Sequence, residues 1–160
     1  MLKKLIADQN NIDDIVKLRV EMQIEDWENT LNVDFSKYAE QFGNITKKHL
    51  VDKLGKSIYF AMMYLNEVPI AMCAIEELSE LPQITVCTNP NGRHCCVASV
   101  YTRPEFRGRG YQQEIFGYLI DFAKNQNFSD VTLTTNMQDA AHIYEKAGFE
   151  KISTKYYLGL

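Results

Sequence analysis

The pattern of apolar and polar positions is clearest between residues 97 and 124. Val97 to Thr102 is β-branched and aromatic with small residues between, which predicts a strand. Pro104 ends this strand because proline cannot donate to a ladder. After a short polar turn, apolar residues recur at the spacing of one helical face: Ile115, Phe116, Leu119, Ile120 and Ala123. A helix is therefore predicted to begin at Tyr111 or Gln112.

The first third of the chain predicts two more helices. The first begins at Ile12, behind a capping box formed by Asn11 and Asp14, and ends near Trp27 to Asn29. A second and less regular helix is predicted over Ser36 to Lys53.

Short apolar runs predict five further strands: Leu2 to Ala7, Ser57 to Leu65, Pro69 to Glu77, Val131 to Thr134 and Phe149 to Leu158. Asn66 and Glu67 form the turn of a hairpin whose poor alternation predicts strands covered on both faces. Ser79 to Gly92 is predicted as a loop, and a helix over Met137 to Lys146 is capped by Gly148. This order predicts a mixed sheet with helices on both faces.

Length, charge and cysteine content limit the class of protein. The chain has 160 residues, 46% hydrophobic and 24% charged, which predicts one globular domain over residues 1–160. A net charge of −4 argues against a general affinity for nucleic acid or membranes. We expect a cytoplasmic protein, because no signal-peptide pattern or spanning apolar run is found. Reduced thiols and no metal site are expected, because no C-x-x-C pair occurs among Cys73, Cys87, Cys95 and Cys96.

A basic, glycine-rich turn, Arg107-Gly108-Arg109-Gly110, lies directly before the predicted central helix. Its glycines allow the backbone to approach a ligand, and the unpaired N–H groups of the first helical turn form an anion site. With the two arginines beside it, the predicted ligand is a phosphate or pyrophosphate. The alternative is a basic surface turn in which the glycines serve geometry alone. The spacing is neither that of a P-loop nor that of a dinucleotide fold.

Residues 100–110, VYTRPEFRGRG, closely resemble the acetyl-CoA signature of the GCN5-related N-acetyltransferase (GNAT) superfamily. That signature is an apolar strand, often a Pro-Glu-aromatic step, and then Arg/Gln-x-x-Gly-x-Gly/Ala at the start of a helix. Residues 139–149, DAAHIYEKAGF, resemble a later segment of the same superfamily. The resemblance implies a GNAT-like acyl-CoA N-acyltransferase fold of the α/β class. In that fold a mixed, mostly antiparallel sheet carries about four helices on its two faces.

The resemblance implies that acetyl-CoA binds between the strand ending at Thr102 and the strand starting near Val131, with its pyrophosphate on backbone N–H groups. Gln112 departs from the family's Gly or Ala, and it either crowds the phosphate or donates a hydrogen bond to it. Asn136 either contacts the cofactor or caps a helix. The implied cofactor-binding residues are Val100, Tyr101, Thr102, Arg107, Gly108, Arg109, Gly110, Tyr111, Gln112 and Asn136.

Two catalytic roles follow from the resemblance. The backbone N–H of Val100 faces the thioester oxygen, and a donor of this kind contributes about 2.7–4 kcal/mol to the transition state. Tyr144 matches the general acid for the departing thiolate. Because a phenol has a pKa near 10 and a thiol one near 8.5, Tyr144 acts better as a hydrogen-bond donor than by full proton transfer. The alternative for Tyr144 is a buried aromatic on an apolar helix face.

The general base and the acceptor are less defined. Many GNAT enzymes use a carboxylate on the signature strand, which here has none, so Glu76 on the preceding strand is the first candidate. His94, Glu21 and Asp26 are the other candidates. A segment at the end of the first helix either lines a pocket for a cationic acceptor or is a solvated helix end with its tryptophan on the core. Its residues are Glu25, Asp26 and Trp27.

Three functions are compatible with these residues. The first is acetyl transfer from acetyl-CoA to a primary amine by direct attack, with a small-molecule amine ahead of a peptide or protein amine as acceptor. The second is a non-catalytic CoA-binding regulatory module, suggested by Gln112 and the missing strand carboxylate. The third, a nucleic-acid or protein-interaction domain, is disfavoured by the acidic balance. A homodimer is compatible with each of them.

Overall fold

The computed structural model describes residues 1–79, 93–135 and 144–151. The helices are α1 (Ile12–Leu31), α2 (Ala39–Lys53) and α3 (Tyr111–Asn125). The strands are β1 (Leu2–Ile6), β2 (Ile58–Leu65), β3 (Val68–Leu78), β4 (His94–Thr102) and β5 (Asp130–Thr132). They form one sheet in chain order, in which successive pairs from β1 to β4 are antiparallel and β5 is parallel to β4. The predicted mixed, mostly antiparallel sheet is confirmed.

The sheet separates two hydrophobic cores. On one face, α1 and α2 pack against alternate residues of β2 and β3, with Ile15, Leu18 and Phe60 at the centre. On the other face, α3 buries Ile115 and Leu119. Because both faces are covered, β2 and β3 are continuous apolar runs rather than alternating ones, as the sequence predicted.

The start of α1 differs from the sequence prediction. The capping box is formed by Asp8 and Asn11 around a 3₁₀ turn, so the predicted box of Asn11 with Asp14 is wrong. Asp8 accepts from the N–H of Asn10 at 2.8 Å, and the Asn11 side chain accepts from the N–H of Asp8 at 3.0 Å. The cap therefore lies one turn earlier, and Asn11 is left to donate to the Tyr64 hydroxyl at 3.2 Å.

Other helix ends also move. Helix α1 continues to Leu31 and ends where Asn32 adopts a left-handed φ of 50°, with its N–H bonded to the Trp27 carbonyl. The predicted second helix divides into a 3₁₀ turn at Ser36–Tyr38 and α2. None of the described helices is long and apolar enough to cross a membrane.

The predicted helix over Met137 to Lys146 is described only from residue 144, where a helical turn runs to residue 146. Gly148 has φ 91°, its N–H bonds the Glu145 carbonyl at 3.0 Å, and the N–H of Phe149 bonds the Tyr144 carbonyl at 3.1 Å. This pair of bonds is a Schellman motif, so the predicted glycine cap is confirmed. Most of the Ser79 to Gly92 loop and of the Phe149 to Leu158 strand lies outside the described residues.

A β-bulge interrupts β4. Ala74 of β3 lies opposite Ser99 while Ile75 lies opposite Val97, so Ala98 is an extra residue. The extra residue shifts the alternation by one position. Ala98 lines a cavity on the α1–α2 face, and Ser99 receives a hydrogen bond from Arg19 of α1 on that same face. Two successive side chains of β4 therefore face the same helices.

Strands β4 and β5 are paired over a short length only. His94, Cys95 and Cys96 lie opposite Asp130, Val131 and Thr132, and β5 ends there. Strand β4 continues to Thr102 without β5 beside it. The sheet therefore opens at the carboxyl ends of these two strands. Helix α3 begins at Tyr111, shortly after β4 ends at Thr102.

Candidate active site

The turn before α3 is shaped for an anion. Gly108 and Gly110 have φ values of 73° and 79°, a left-handed conformation that favours glycine. A Cβ at either position would meet nothing within 4 Å, so glycine is favoured here by the backbone conformation and not by a steric limit. The space beside both glycines is open. Gly110 is the N-cap of α3 and supplies no capping side chain. The N–H groups of the first helical turn thus lack the usual cap and are available to a ligand.

The two arginines of this turn differ. Both terminal nitrogens of Arg107 bind the Glu25 carboxylate at 2.7 Å, and its Nε donates to the Thr102 carbonyl at 2.8 Å. The bond to Glu25 raises the pKa of Arg107. Among the residues that the structure describes, Arg109 donates to the Glu105 carbonyl at 3.2 Å and lies over the Phe106 ring at 5.8 Å, without a carboxylate partner. Glu25 therefore offsets the charge of Arg107, while Arg109 keeps its positive field at the turn.

Gln112 folds toward the end of β4. The Thr102 hydroxyl donates to Gln112 Oε1 at 2.6 Å, and the buried Nε2 of Gln112 has no partner among the described residues. A buried amide donor without a partner is costly, and it lies on the first turn of a helix whose N–H groups also lack a cap. A pyrophosphate placed there would accept from these donors, so the residues present fit the phosphate end of CoA.

The opening between β4 and β5 continues from this turn. Val100 is half-buried toward the α3 core, whereas Tyr101 is buried on the α1 side beneath the Arg107 guanidinium, 5.7 Å from its ring. Thr102 is buried and tied to both Arg107 and Gln112. The structure thus brings these signature residues to one edge of the opening. Asn136 lies outside the described residues.

Tyr144 lies in an aromatic cluster against α3. Its ring centroid is 5.7 Å from that of Phe116 and 6.2 Å from that of Phe149. Burial raises the pKa of Tyr144, with a smaller contribution from Cys73. The phenol therefore stays protonated at neutral pH, where it can donate its proton or a hydrogen bond.

A cavity of about 300 Å³ lies on the other face of the sheet, among the described residues. One wall is a single face of α2, with residues at helical spacing: Phe42, Ile45, Thr46, His49 and Leu50. The floor comes from three strands: Ile58 and Phe60 from β2, Glu76 from β3, and Ala98 from the bulge of β4. The cavity therefore reaches β4, the strand that borders the opening, at its bulge.

Arg19 of α1 completes the cavity wall. Its guanidinium donates to the Ser99 hydroxyl and lies 5.7 Å from the centre of the Phe42 ring. Burial lowers the pKa of Arg19, and the nearby Glu76 carboxylate partly opposes that effect. In the described part of the chain no carboxylate lies within ion-pair distance of Arg19.

The candidate bases occupy different places. Glu76 is half-buried on the cavity floor. The Glu21 carboxylate accepts two hydrogen bonds of 2.7 Å, from Nε and Nη2 of Arg103. His94 Nδ1 lies 2.8 Å from Asp130 Oδ2, where β4 and β5 are still paired. Asp26 is largely exposed, and the partial burial of its carboxyl together with the Glu25 charge raises its pKa. Of the four, Glu76 is the one that lines this cavity.

The acidic and aromatic segment of α1 does not line this cavity. Glu25 is engaged with Arg107, and Asp26 is exposed. Trp27 is 37% exposed, with its ring centroid 5.5 Å from that of the buried Phe35. Sequence reasoning missed Arg19, Phe42 and Thr46 of the cavity. A charged residue directly after the buried Leu18 on an amphipathic helix was the available signal for Arg19.

The cysteines of the described chain, Cys73, Cys95 and Cys96, are free thiols. Cys73 and Cys95 are buried against the α3 core, and burial raises the pKa of Cys95 to about 12. The prediction of reduced thiols agrees with these three, and Cys87 lies outside the described residues.

A sheet that opens between two parallel strands, beside a helix start without a capping side chain, agrees with the acyl-CoA acyltransferase fold that the sequence resemblance implied. The family model described as Acetyltransferase (GNAT) family matches residues 16–149. The chain therefore belongs to the GNAT family of acetyltransferases. Among curated protein sequences, none matches it.

Solved structures of acetyltransferases share this fold. A predicted acetyltransferase from Clostridium acetobutylicum, determined with acetyl-CoA, matches with a TM-score of 0.75 and 23% identity over 99% of this chain and 96% of its own. A GCN5-related N-acetyltransferase from Ralstonia eutropha matches with a TM-score of 0.76 and 14% identity over 99% and 98%. The aminoglycoside N-acetyltransferase AAC(6')-Iy in complex with CoA matches with a TM-score of 0.74 and 9% identity over 100% and 95%.

Proposed function

We propose that the protein transfers an acetyl group from acetyl-CoA to the primary amine of a small molecule by direct attack. The observation that carries the proposal is the opening of the sheet between β4 and β5 beside the uncapped start of α3. A cavity of about 300 Å³ reaches the bulge of β4 from the opposite face. This arrangement suits a thioester and an acceptor that approach the same strand from two sides.

The chain's residues suit the steps of such a transfer. Glu76, on the cavity floor, takes the proton that the alkylammonium must lose before attack. The amine nitrogen then bonds to the thioester carbonyl carbon, the carbon–sulfur bond breaks, and the second proton that the nitrogen loses goes to the departing thiolate, which becomes the free thiol of CoA. The N–H of Val100 is the proposed donor to the developing oxyanion. Tyr144, kept protonated by burial, donates to the departing thiolate.

Family membership and the solved structures that contain acetyl-CoA or CoA support the choice of co-substrate. The size of the cavity supports a small acceptor over a polypeptide, because ligand pockets of about 300 Å³ are at the lower end of their range. A protein amine remains the alternative acceptor, and a CoA-binding module without turnover is the alternative to catalysis.

Incubation of the protein with acetyl-CoA and a panel of amines, followed by mass spectrometry and assay of released thiol, tests the proposal. We expect acetylated product from a small amine. Tyr144→Phe should lower kcat about 10²-fold while leaving CoA affinity by calorimetry unchanged, because it removes only the phenolic donor. CoA binding without product from any small amine or peptide would favour the non-catalytic module. Acetylated peptide alone would favour the protein acceptor.

A further inference from the structure

We propose that the acceptor is a small amino carboxylate with an apolar side chain, whose carboxylate binds Arg19 and whose amine lies beside Glu76. This inference rests on the proposed function, because it names the acceptor of the same reaction. The observation behind it is one cavity that holds a carboxylate, apolar walls and a guanidinium that forms no ion pair with any described residue.

Arg19 is held in place but not neutralised. A guanidinium has five N–H donors, and one bond of Arg19 goes to the Ser99 hydroxyl. The guanidinium carbon lies 5.7 Å from the centre of the Phe42 ring, a cation–π contact that adds a second restraint on its position. The remaining donors are therefore presented in a fixed orientation on the cavity wall, as planar recognition of a carboxylate requires.

The electrostatic environment of Arg19 calls for an anion. Burial lowers the pKa of Arg19, which means that the site disfavours the charge it contains. In contrast, Arg103 has the Glu21 carboxylate within 2.7 Å, and its pKa is raised by that bond. A carboxylate bound in the cavity would give Arg19 the partner that Arg103 obtains from the protein.

The Glu76 carboxylate favours a positive charge on the other end of the acceptor. It is close enough to Arg19 to oppose the fall in its pKa, yet no ion pair joins the two side chains. A ligand with only a positive charge would be repelled by Arg19, and one with only negative charges would be repelled by Glu76. A molecule with an ammonium and a carboxylate satisfies both groups.

Size and polarity narrow the class further. Much of the cavity surface is apolar, with Leu50, Ile58 and Phe60 buried and Phe42 half-buried. An aliphatic or aromatic side chain can occupy such a surface, and a cavity of about 300 Å³ limits it to a small one. A phosphate dianion is disfavoured because a single guanidinium faces it and Glu76 is nearby.

The position of the cavity brings the amine to the strand where acetyl transfer is proposed. Ala98 lines the cavity and Ser99 holds Arg19, and both are at the bulge of β4. Val100, the proposed oxyanion donor, follows directly along the same strand. Glu76 lies in β3 opposite Cys96, across the bulge from Val100, so an amine beside Glu76 approaches β4 at the bulge.

The test compares L-leucine with leucinamide and 3-methylbutylamine, which lack the carboxylate, at saturating acetyl-CoA. We expect kcat/KM for L-leucine to exceed that for either analogue about 10²-fold, the size expected for a desolvated charge pair. Arg19→Gln should reduce that ratio to about threefold or less. Lys17→Gln removes one positive charge from an exposed position of the same helix and should leave the ratio unchanged.

Equilibrium dialysis of L-leucine in the presence of CoA gives a second measurement that needs no turnover. Binding that Arg19→Gln abolishes in a folded variant, with no acetylated product from any amine, would show that the cavity binds an amino carboxylate, but it would refute the proposed transfer and with it the role of that ligand as acceptor. Acetylation of the analogues at the rate of L-leucine, or an equal loss for all three in Arg19→Gln, would overturn the inference and leave the transfer standing. Neither binding nor product would refute both.

Discussion

Helix α1 contacts β4 and the turn after it in two regions, and the arginines of the two regions have different partners. Toward the start of α3, Glu21 and Glu25 of α1 each accept two hydrogen bonds, from Arg103 and Arg107. Two residues before Glu21 the polarity is reversed, because Arg19 of α1 donates to the Ser99 hydroxyl of β4 and has no carboxylate within ion-pair distance among the described residues. In the first region each arginine is paired with a carboxylate of the chain. In the second, the guanidinium has no carboxylate partner among the described residues.

The difference separates a structural arginine from one suited to a ligand. Paired guanidiniums fasten the turn before α3 to α1, and each pair satisfies both of its members. Arg19 is partly buried and has no carboxylate partner in the described part of the chain, so its stabilisation depends on what enters the cavity. Mutations in the first region should therefore alter stability or the anion site, and mutations in the second should alter acceptor recognition.

The largest expected effect is at Glu76, the carboxylate of the cavity. Glu76→Gln should lower kcat about 10²-fold, because the amide cannot take the proton of the acceptor amine. Steady-state kinetics measures this loss. Glu77→Gln is the matched control, since Glu77 follows in β3 but binds Arg93 at 2.9 Å instead of lining the cavity. A Glu76→Gln variant with full kcat would exclude Glu76 as the base.

The next effect is on stability. Arg103→Gln leaves the partly buried Glu21 without its partner and should lower the free energy of unfolding by about 2 kcal/mol, between the values for exposed and buried pairs. For a chain of this length the fall in Tm is about 4–8 °C. Calorimetry measures it, and the preference for L-leucine over leucinamide should not change. A changed preference at normal Tm would remove the distinction between the two regions.

A smaller effect is expected at Ser99. Ser99→Ala removes the hydroxyl that orients Arg19 and should raise KM for L-leucine about tenfold, the value of one charge-assisted hydrogen bond. The KM for 3-methylbutylamine should stay the same, because that amine makes no use of Arg19. Equal changes for both substrates would mean that the substitution disturbs the bulge and not the guanidinium.

The smallest effect concerns the turn before α3. Arg109→Gln should weaken CoA binding about threefold, which is within the range for one charge at a helix start. It should also reduce the salt dependence of CoA binding, and Arg107→Gln should reduce that salt dependence less than Arg109→Gln does, because Glu25 already offsets the Arg107 charge. Calorimetry at two salt concentrations measures both. A steeper loss of salt dependence in Arg107→Gln would show that Glu25 does not offset its charge.

Much of the fold follows from local sequence. The apolar stripe from Ile115 to Ala123 specifies α3, and the glycine at residue 148 specifies a helix end, because each signal is contained within one or two turns. The end of α1 was less predictable. It depends on Asn32 adopting a left-handed φ, a conformation that the preceding polar residues do not announce. The cap at Asp8 required knowledge of a 3₁₀ turn before the helix.

The site was predictable only where its residues are neighbours in sequence. The turn from Arg107 to Gly110 carries a local pattern, and the structure builds an uncapped helix start there. The partner of Arg19 is 80 residues away at Ser99, and Glu25 is 82 residues from Arg107. Such pairs depend on the register of β4 against α1, which hydrophobic periodicity does not specify.

The extra residue at Ala98 restricts how this cavity can diversify. Deletion of one residue there would reverse the alternation of everything from Ser99 to Thr102, so that Tyr101 would exchange faces with Val100. The strand can accept a different side chain at the bulge but not a different length. Variants of this protein with altered acceptor preference should therefore arise by substitution in α2 or at Ala98, and single-residue indels in β4 should be absent from any selected library.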